Sequence, residues 1–301
     1  MPDAAASRTV SGPSVWFLAA RPKTLWAAVA PVFLGTAVAA GAGGFHAPAA
    51  LCALIAAVLI QIGTNFWNDY QDFARGADTE HRKGPTRVTQ AGLVSPESVR
   101  RAAVAAFGLA FLAGLYLIAR GGWPVLLIGL LSILFGILYT AGRYALAYVG
   151  IADLFVLVFF GPVAVAGTYY VQALEFSPLL VLIGIGPGFL STAILLVNNI
   201  RDVEEDRTAG KKTLIVRWGR RAGVLLYRGC IAGAGIVVLF ATVPTMSHWW
   251  SLTALLPLPL GIRYAGVLGS EEDPGVLNPL LGATSRLLLL YCLLFGVGWL
   301  L

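Results

Sequence analysis

Two short acidic sets in this chain have the residue types and spacing to do chemistry. The first runs Asn65-Phe66-Trp67-Asn68-Asp69-Tyr70-Gln71-Asp72 and continues through Gly76 to Asp78. The second runs Asn198-Asn199-Ile200-Arg201-Asp202-Val203-Glu204-Glu205-Asp206. In each, an Asn precedes an Asp by four positions, Asn68 with Asp72 and Asn198 with Asp202, and residues four apart share a helix face. Asp206 extends the second set by another turn. Gly76 is positioned to end the helix in the first and let Asp78 fold back. Carboxylates gathered this way repel one another unless divalent cations lie between them. Mg²⁺ takes oxygen ligands, keeps some of its waters, and commonly bridges one or two carboxylates to a substrate phosphate. Asn adds a neutral oxygen without further charge. The pattern therefore suggests carboxylate–Mg²⁺–diphosphate chemistry rather than solvated loop acids.

Basic residues follow both sets. His81-Arg82-Lys83-Gly84-Pro85-Thr86-Arg87 comes after the first, and Lys211, Lys212 and Arg217 after the second. Lys and Arg can neutralise the charge on a departing diphosphate that metals leave uncompensated. The two Asn-x3-Asp units lie 130 residues apart, which hints at an internal duplication.

The elements that must position these residues are membrane helices. The chain has 301 residues, 58% hydrophobic and only 12% charged, with mean hydropathy +0.79. A soluble domain is about a quarter charged, so a soluble single-core protein, a disordered chain and a nucleic-acid-binding module are all disfavoured. A bilayer core needs about 20 apolar residues per helix. Nine stretches meet or approach that length: 22–41, 46–68, 97–118, 122–140, 149–171, 177–199, 221–243, 249–268 and 282–301. Their short links predict antiparallel neighbours in a helical bundle. The first apolar run carries Arg21, Pro22, Lys23 and Pro31, unlike a cleaved signal segment. With the N-terminus inside, 20 of the 21 Lys and Arg fall on inside segments, and only Arg120 lies outside. Both acidic sets are then on the cytoplasmic face. Cys52, Cys230 and Cys292 sit in apolar runs and read as packing residues, with no disulfide or zinc site implied.

At these motifs the chain resembles the UbiA superfamily of intramembrane aromatic prenyltransferases, and within it the 1,4-dihydroxy-2-naphthoate branch of menaquinone synthesis. The residues that carry this are Arg21-Pro22-Lys23-Thr24-Leu25 with Pro31 and Gly35; Asn68-Asp69-Tyr70, Asp72, Gly76 and Asp78; Gly84-Pro85, Arg87, Thr89-Gln90 and Gly92; and Asn198 to Asp202, Asp206, Lys211 and Thr213-Leu214. The similarity covers about residues 15–301. It implies an all-α polytopic membrane protein, nine transmembrane helices around a central cavity capped by two Asp-rich cytoplasmic loops. It also implies a single domain over 1–301, with residues 1–14 a disordered tail.

By the same resemblance, Asn68, Asp72 and Asp78 hold one Mg²⁺ and Asn198, Asp202 and Asp206 a second, both bound with a polyprenyl diphosphate. Asp72, Asp78, Asp202, Asp206 and Tyr139 become the catalytic group. Lys23, Arg87, Arg143, Arg201, Lys211 and Lys212 become substrate-binding residues. The expected reaction is polyprenyl transfer to an aromatic acceptor, 1,4-dihydroxy-2-naphthoate with decarboxylation, in the bacterial-type inner membrane. Arg143 departs from this branch, which often has a Gly-Pro-Tyr-Pro-like turn there. Phe66, Trp67 and Phe155 are candidates for cation–π contact. Asp153, an acid just inside the fifth span, reads as a supporting residue paired with Arg143. The alternatives are another acceptor (4-hydroxybenzoate, homogentisate, a chlorophyllide or a glycerol phosphate) and a membrane transporter, which is disfavoured because the acids lie at helix ends rather than at mid-membrane.

Overall fold

Eight helices long and apolar enough to cross a membrane set the architecture of the computed structural model, which describes residues 12–76, 84–142 and 145–301. Among the described residues all regular structure is helical. A short α1 (Pro13–Ala20) leads into α2 (Pro22–Gly41), α3 (Ala47–Ala74), α4 (Pro96–Gly121) and α5 (Trp123–Leu138). The small helices α6 (Leu146–Val149) and α7 (Ala152–Val158) follow, and a π turn over Phe159–Val163 joins α7 to α8 (Ala164–Ala173). Next come α9 (Pro178–Arg201), α10 (Val203–Thr208) and α11 (Leu214–Thr242). A 3₁₀ segment, Trp249–Leu255, leads to α12 (Leu258–Ser270), and α13 (Pro274–Leu300) closes the order.

This is an integral membrane protein. Eight of the nine expected stretches reach spanning length, and the remaining one, α5, has 16 residues. The fifth stretch is not one continuous helix. Pro162 removes a backbone donor and Gly161 departs from helical geometry, so the chain passes through a π turn there. The seventh begins at Leu214, earlier than the apolar pattern indicates, and kinks at Gly219, whose φ of 81° favours glycine. Of the tail expected over residues 1–14, residues 1–11 lie outside the described residues, and Pro13 and Ser14 already belong to α1.

The main core joins α2, α8, α9, α11, α12 and α13. Without a hydrophobic drive between helices in lipid, close backbone approach through small residues holds such a bundle together. A methyl added at Gly184 on α9 would lie 2.5 Å from Pro162 Cα, so α9 packs directly on the π turn. The helices α3 and α4 stand apart from this core, joined to α1 by one small cluster and to α2 and α8 by another, and α5 packs against α3 and α4. The space between the two groups is the central cavity.

Candidate active site

The site is built where α3 and α9 end. The helix α3 stops at Ala74, and Gly76 takes φ 65°, as its position in the sequence leads one to expect. The chain beyond residue 83 returns over α3 and is fastened there. Asp69 accepts backbone hydrogen bonds from Val88 (3.1 Å) and Thr89 (3.4 Å), and Arg87 donates to Asp72 at 2.7 Å. On α9, the helix gives way at Asp202 to α10, whose Asp206 is ion-paired with Lys211 at 2.9 Å.

These two ends share one cavity of about 260 Å³. Asn68, Asp72, Asn198, Asp202 and Asp206 all line it, together with Lys23, Arg87, Lys211 and Tyr139. The two acidic sets therefore face each other across one space. Beneath it lies an apolar cavity of about 350 Å³, walled by α2, α3, α4, α5, α7, α8 and α9. Arg21, Thr24, Asn68, Tyr139, Leu195 and Asn198 line both, so the two cavities meet at a ring of mainly polar residues.

Electrostatics bind the two sets into one field. Burial pushes the Asp206 carboxyl above the usual carboxylate range, and Asp202 and Asp72 push it the same way, against the pull of Lys211. Burial also works against charge on Lys211, but Asp206 and Asp72 outweigh it and hold the ammonium above its ordinary value. Thr140 donates to Asn68 Oδ1 at 2.8 Å, which fixes the amide on the cavity wall.

The donor set fits a hard divalent cation. It consists of carboxylate and amide oxygens only, with no His or Cys among the lining residues. Among the described residues no three acidic, His or Cys side chains converge on one point. A cation here would be held by a few protein oxygens and completed by water or phosphate, which is the habit of Mg²⁺. Arg87 and Lys211 bring positive charge to the same carboxylates.

Some expected site residues are elsewhere. Arg201 does not line the cavity. Its guanidinium is buried, bonded to both oxygens of Asp202 at 2.6 Å and to Asn278 of α13 at 2.9 Å. It braces Asp202 instead of facing substrate. Lys212 is also absent from the cavity wall. Its backbone N–H donates to Tyr148 at 2.9 Å and ties the α6 segment to the loop after α10. Asp78 and Arg143 lie outside the described residues. Phe66 packs edge-on against Trp16, and Trp67 tilts against Tyr70, so both are packing residues outside the cavities. Phe155 does line the apolar cavity, within a cluster that includes Phe135 at 4.5 Å and Phe159 at 6.3 Å.

Sequence reasoning undervalued Asp153, which lines the polar cavity rather than standing behind it. The rarity of an acid inside an apolar span was the available signal. It also passed over Asp69, whose role in fastening the returning loop depends on partners about 20 residues away.

Comparison with known proteins agrees with this geometry. The UbiA prenyltransferase family model matches residues 28–277. The 1,4-dihydroxy-2-naphthoate octaprenyltransferase of Escherichia coli (strain K12) is 38% identical over 296 residues, covering 96% of each chain. The protein of the same name from Mycobacterium tuberculosis is 38% identical over 281 residues, covering 92% of this chain and 94% of its own. A UbiA homolog from Archaeoglobus fulgidus, solved bound to DMAPP and Mg²⁺, superposes with a TM-score of 0.66 at 16% identity, over 94% of this chain and 100% of the other. With a family model over most of its length and relatives above 30% identity end to end, the chain belongs to the UbiA prenyltransferase family.

Proposed function

We propose that this chain is a Mg²⁺-dependent enzyme that transfers a polyprenyl group from polyprenyl diphosphate to 1,4-dihydroxy-2-naphthoate, with loss of CO₂, in menaquinone synthesis. The observation that carries this reading is the shared cavity, where two Asn-x3-Asp units from distant helices face each other above an apolar chamber. Support comes from relatives named for octaprenyl transfer to that acceptor and from a fold neighbour described with DMAPP and Mg²⁺.

Asn68, Asp72 and Asp78 would hold one ion, and Asn198, Asp202 and Asp206 a second. Bound there, Mg²⁺ supplies Lewis acidity that neutralises the diphosphate and loosens its bond to the allylic carbon. Arg87, Lys211 and Lys23 bring positive charge to the same cavity and hold the leaving group as its charge grows. The apolar chamber takes the isoprenoid tail, which gains about 0.8 kcal/mol per CH₂ on leaving water. Its walls keep water from the cationic carbon. Phe135, Phe155 and Phe159 line that chamber and offer ring faces to positive charge, a contact of about 0.5–2 kcal/mol. Tyr139 borders both cavities, where the acceptor ring meets the allylic carbon.

The same reading takes α5 as a fourth crossing, giving nine spans in a single domain over residues 1–301. Twenty of the 21 Lys and Arg then lie on the side that carries the site. By the positive-inside rule that side is the cytoplasm, and the membrane is the bacterial inner membrane.

The test is an assay of purified protein with polyprenyl diphosphate, Mg²⁺ and a panel of acceptors, with products read by mass. Demethylmenaquinol from 1,4-dihydroxy-2-naphthoate is the expected product, read as demethylmenaquinone once air has oxidised it. Transfer to 4-hydroxybenzoate or glycerol phosphate instead would replace the acceptor. Solute flux in proteoliposomes without any transfer would replace the enzyme with a transporter.

A further inference from the structure

Asp153 is a buried carboxylate that the proposed chemistry leaves unused. It is 8% exposed and lies on the wall of the polar cavity. Its Oδ1 is buried and finds no hydrogen-bond partner among the described residues. The nearby cations Arg87 and Lys211 are directed to Asp72 and Asp206. An acceptor oxygen buried without a donor is costly, and such atoms in a cavity point to a ligand that completes them.

Its place limits what that ligand is. Val156, one turn along α7 and on the same face, lines the apolar cavity, so Asp153 stands where polar lining gives way to apolar. Its neighbours Ile151, Ala152, Leu154 and Phe155 offer no second ligating side chain, unlike the Asn-x3-Asp units. A carboxylate repels diphosphate. What remains is a neutral hydroxyl that donates a hydrogen bond, carried on an aromatic body close to Tyr139, with any charged group of that ligand turned away from Asp153. The position of Asp153 is fixed from two sides. Thr192 Oγ1 of α9 donates to the Asp153 carbonyl at 3.4 Å. Gly150, at φ 81°, lets the preceding turn press against the Lys212 carbonyl.

We propose that Asp153 binds the aromatic acceptor, its Oδ1 accepting a hydrogen bond from a ring hydroxyl and so orienting the ring and enriching its electrons. This rests on the acceptor assignment above. In the transfer, the allylic C–O bond breaks with its electron pair leaving on the diphosphate. A ring π pair forms the new C–C bond at the carbon bearing the carboxylate. The bond to that carboxylate then breaks, its pair restores the aromatic ring, and CO₂ departs. No proton is gained or lost in these steps, so Asp153 acts by contact and ends in the state in which it began.

The experiment compares wild type with Asp153→Leu, reading KM for donor and for acceptor separately. It adds inhibition constants for 1-hydroxy-2-naphthoate and 4-hydroxy-2-naphthoate, each lacking one ring hydroxyl. Asp153→Leu, which keeps the size but has no acceptor, should raise the KM for 1,4-dihydroxy-2-naphthoate about tenfold, the loss expected when a hydrogen bond to a charged group is removed, with donor KM within about twofold. One of the two analogues should bind wild type about tenfold more weakly than the other, and the variant should abolish that preference. Equal weakening of both analogues, or a rise in donor KM alone, overturns the proposal. If Asp153→Leu loses donor binding as well, Asp153→Ala takes the same test, and loss of both substrates in both variants marks the residue as structural and also overturns it. Failure of wild type to prenylate the dihydroxy acceptor is a separate outcome, and it sinks the acceptor assignment on which this rests.

Discussion

The ends of α3 and α9 carry the same Asn-x3-Asp pattern, yet the protein braces them differently. At α9 the support is local and rigid. Arg201, next in sequence to Asp202, grips both carboxylate oxygens and anchors to Asn278 on α13. At α3 the support arrives from a distance. Arg87 reaches Asp72 from 15 residues downstream, Asp69 clasps the amides of Val88 and Thr89, and Thr140 holds Asn68 from the end of α5. One cation therefore braces from behind the site and the other stands inside it. A duplicated motif does not require duplicated scaffolding; it requires only that both sets of oxygens reach the same cavity.

The largest effect should come from removing the chemistry the two ends share. Asp72→Ala and Asp202→Ala should each lower kcat at least about a thousandfold, since each takes a ligand from the charge that stabilises the leaving group. Membrane insertion and folding should survive, checked by size-exclusion profile. Chelation of Mg²⁺ should reproduce the loss, and readded Mg²⁺ should reverse it. Full activity in either variant would mean the two ends are not functional equivalents.

The supports should separate where the ligands do not. Arg201→Ala leaves the Asp202 carboxylate uncompensated in a tight protein setting, a loss of about 3 kcal/mol, seen as a lowered thermal unfolding midpoint in detergent. Arg87→Ala takes a cation from the Asp72 carboxylate in the same way and should lower that midpoint comparably, but it should also cut kcat about a hundredfold, more than Arg201→Ala does, the usual cost of losing one preorganised donor. Lys211→Ala should fall with Arg87→Ala, lowering kcat more than it weakens donor binding. Reversed outcomes for Arg87 and Arg201 would mean that their places in the structure do not report their roles.

What the sequence made legible follows from the range of the interactions. The Asn-x3-Asp spacing and the end of α3 at Gly76 depend on neighbours within a turn or two, and both read correctly. Arg201 lay beside the acids and was expected to face substrate, but whether an Arg points into a cavity or behind it is decided by α13, 77 residues away in sequence. Lys212 acts through its backbone, which no side-chain pattern reports. The early start of α11 was hidden by Arg217, Arg220 and Arg221, which read as loop charge. Arg220 in fact reaches the carbonyls of Leu268 and Glu271 at the end of α12, a favourable place for a cation. Helices apolar on every face give no periodic clue to the cavity wall, so Phe135 and Phe159 could not be singled out.

The mildest test concerns Thr140. Its hydroxyl donates to Asn68 Oδ1, while the corresponding amide on α9, Asn198, lines both cavities without a counterpart to Thr140 among the described hydrogen bonds. Thr140→Val keeps the shape and deletes one neutral hydrogen bond, a contribution of about 0.5–1.5 kcal/mol. The Asn68 amide then loses its fixed orientation, and its oxygen must be turned toward the ion each time one binds. Half-saturation by Mg²⁺ should therefore rise about two- to tenfold, with little change in kcat at saturating metal. An unchanged Mg²⁺ requirement would show that Asn68 needs no support from α5, and that the α3 end is as self-sufficient as the α9 end.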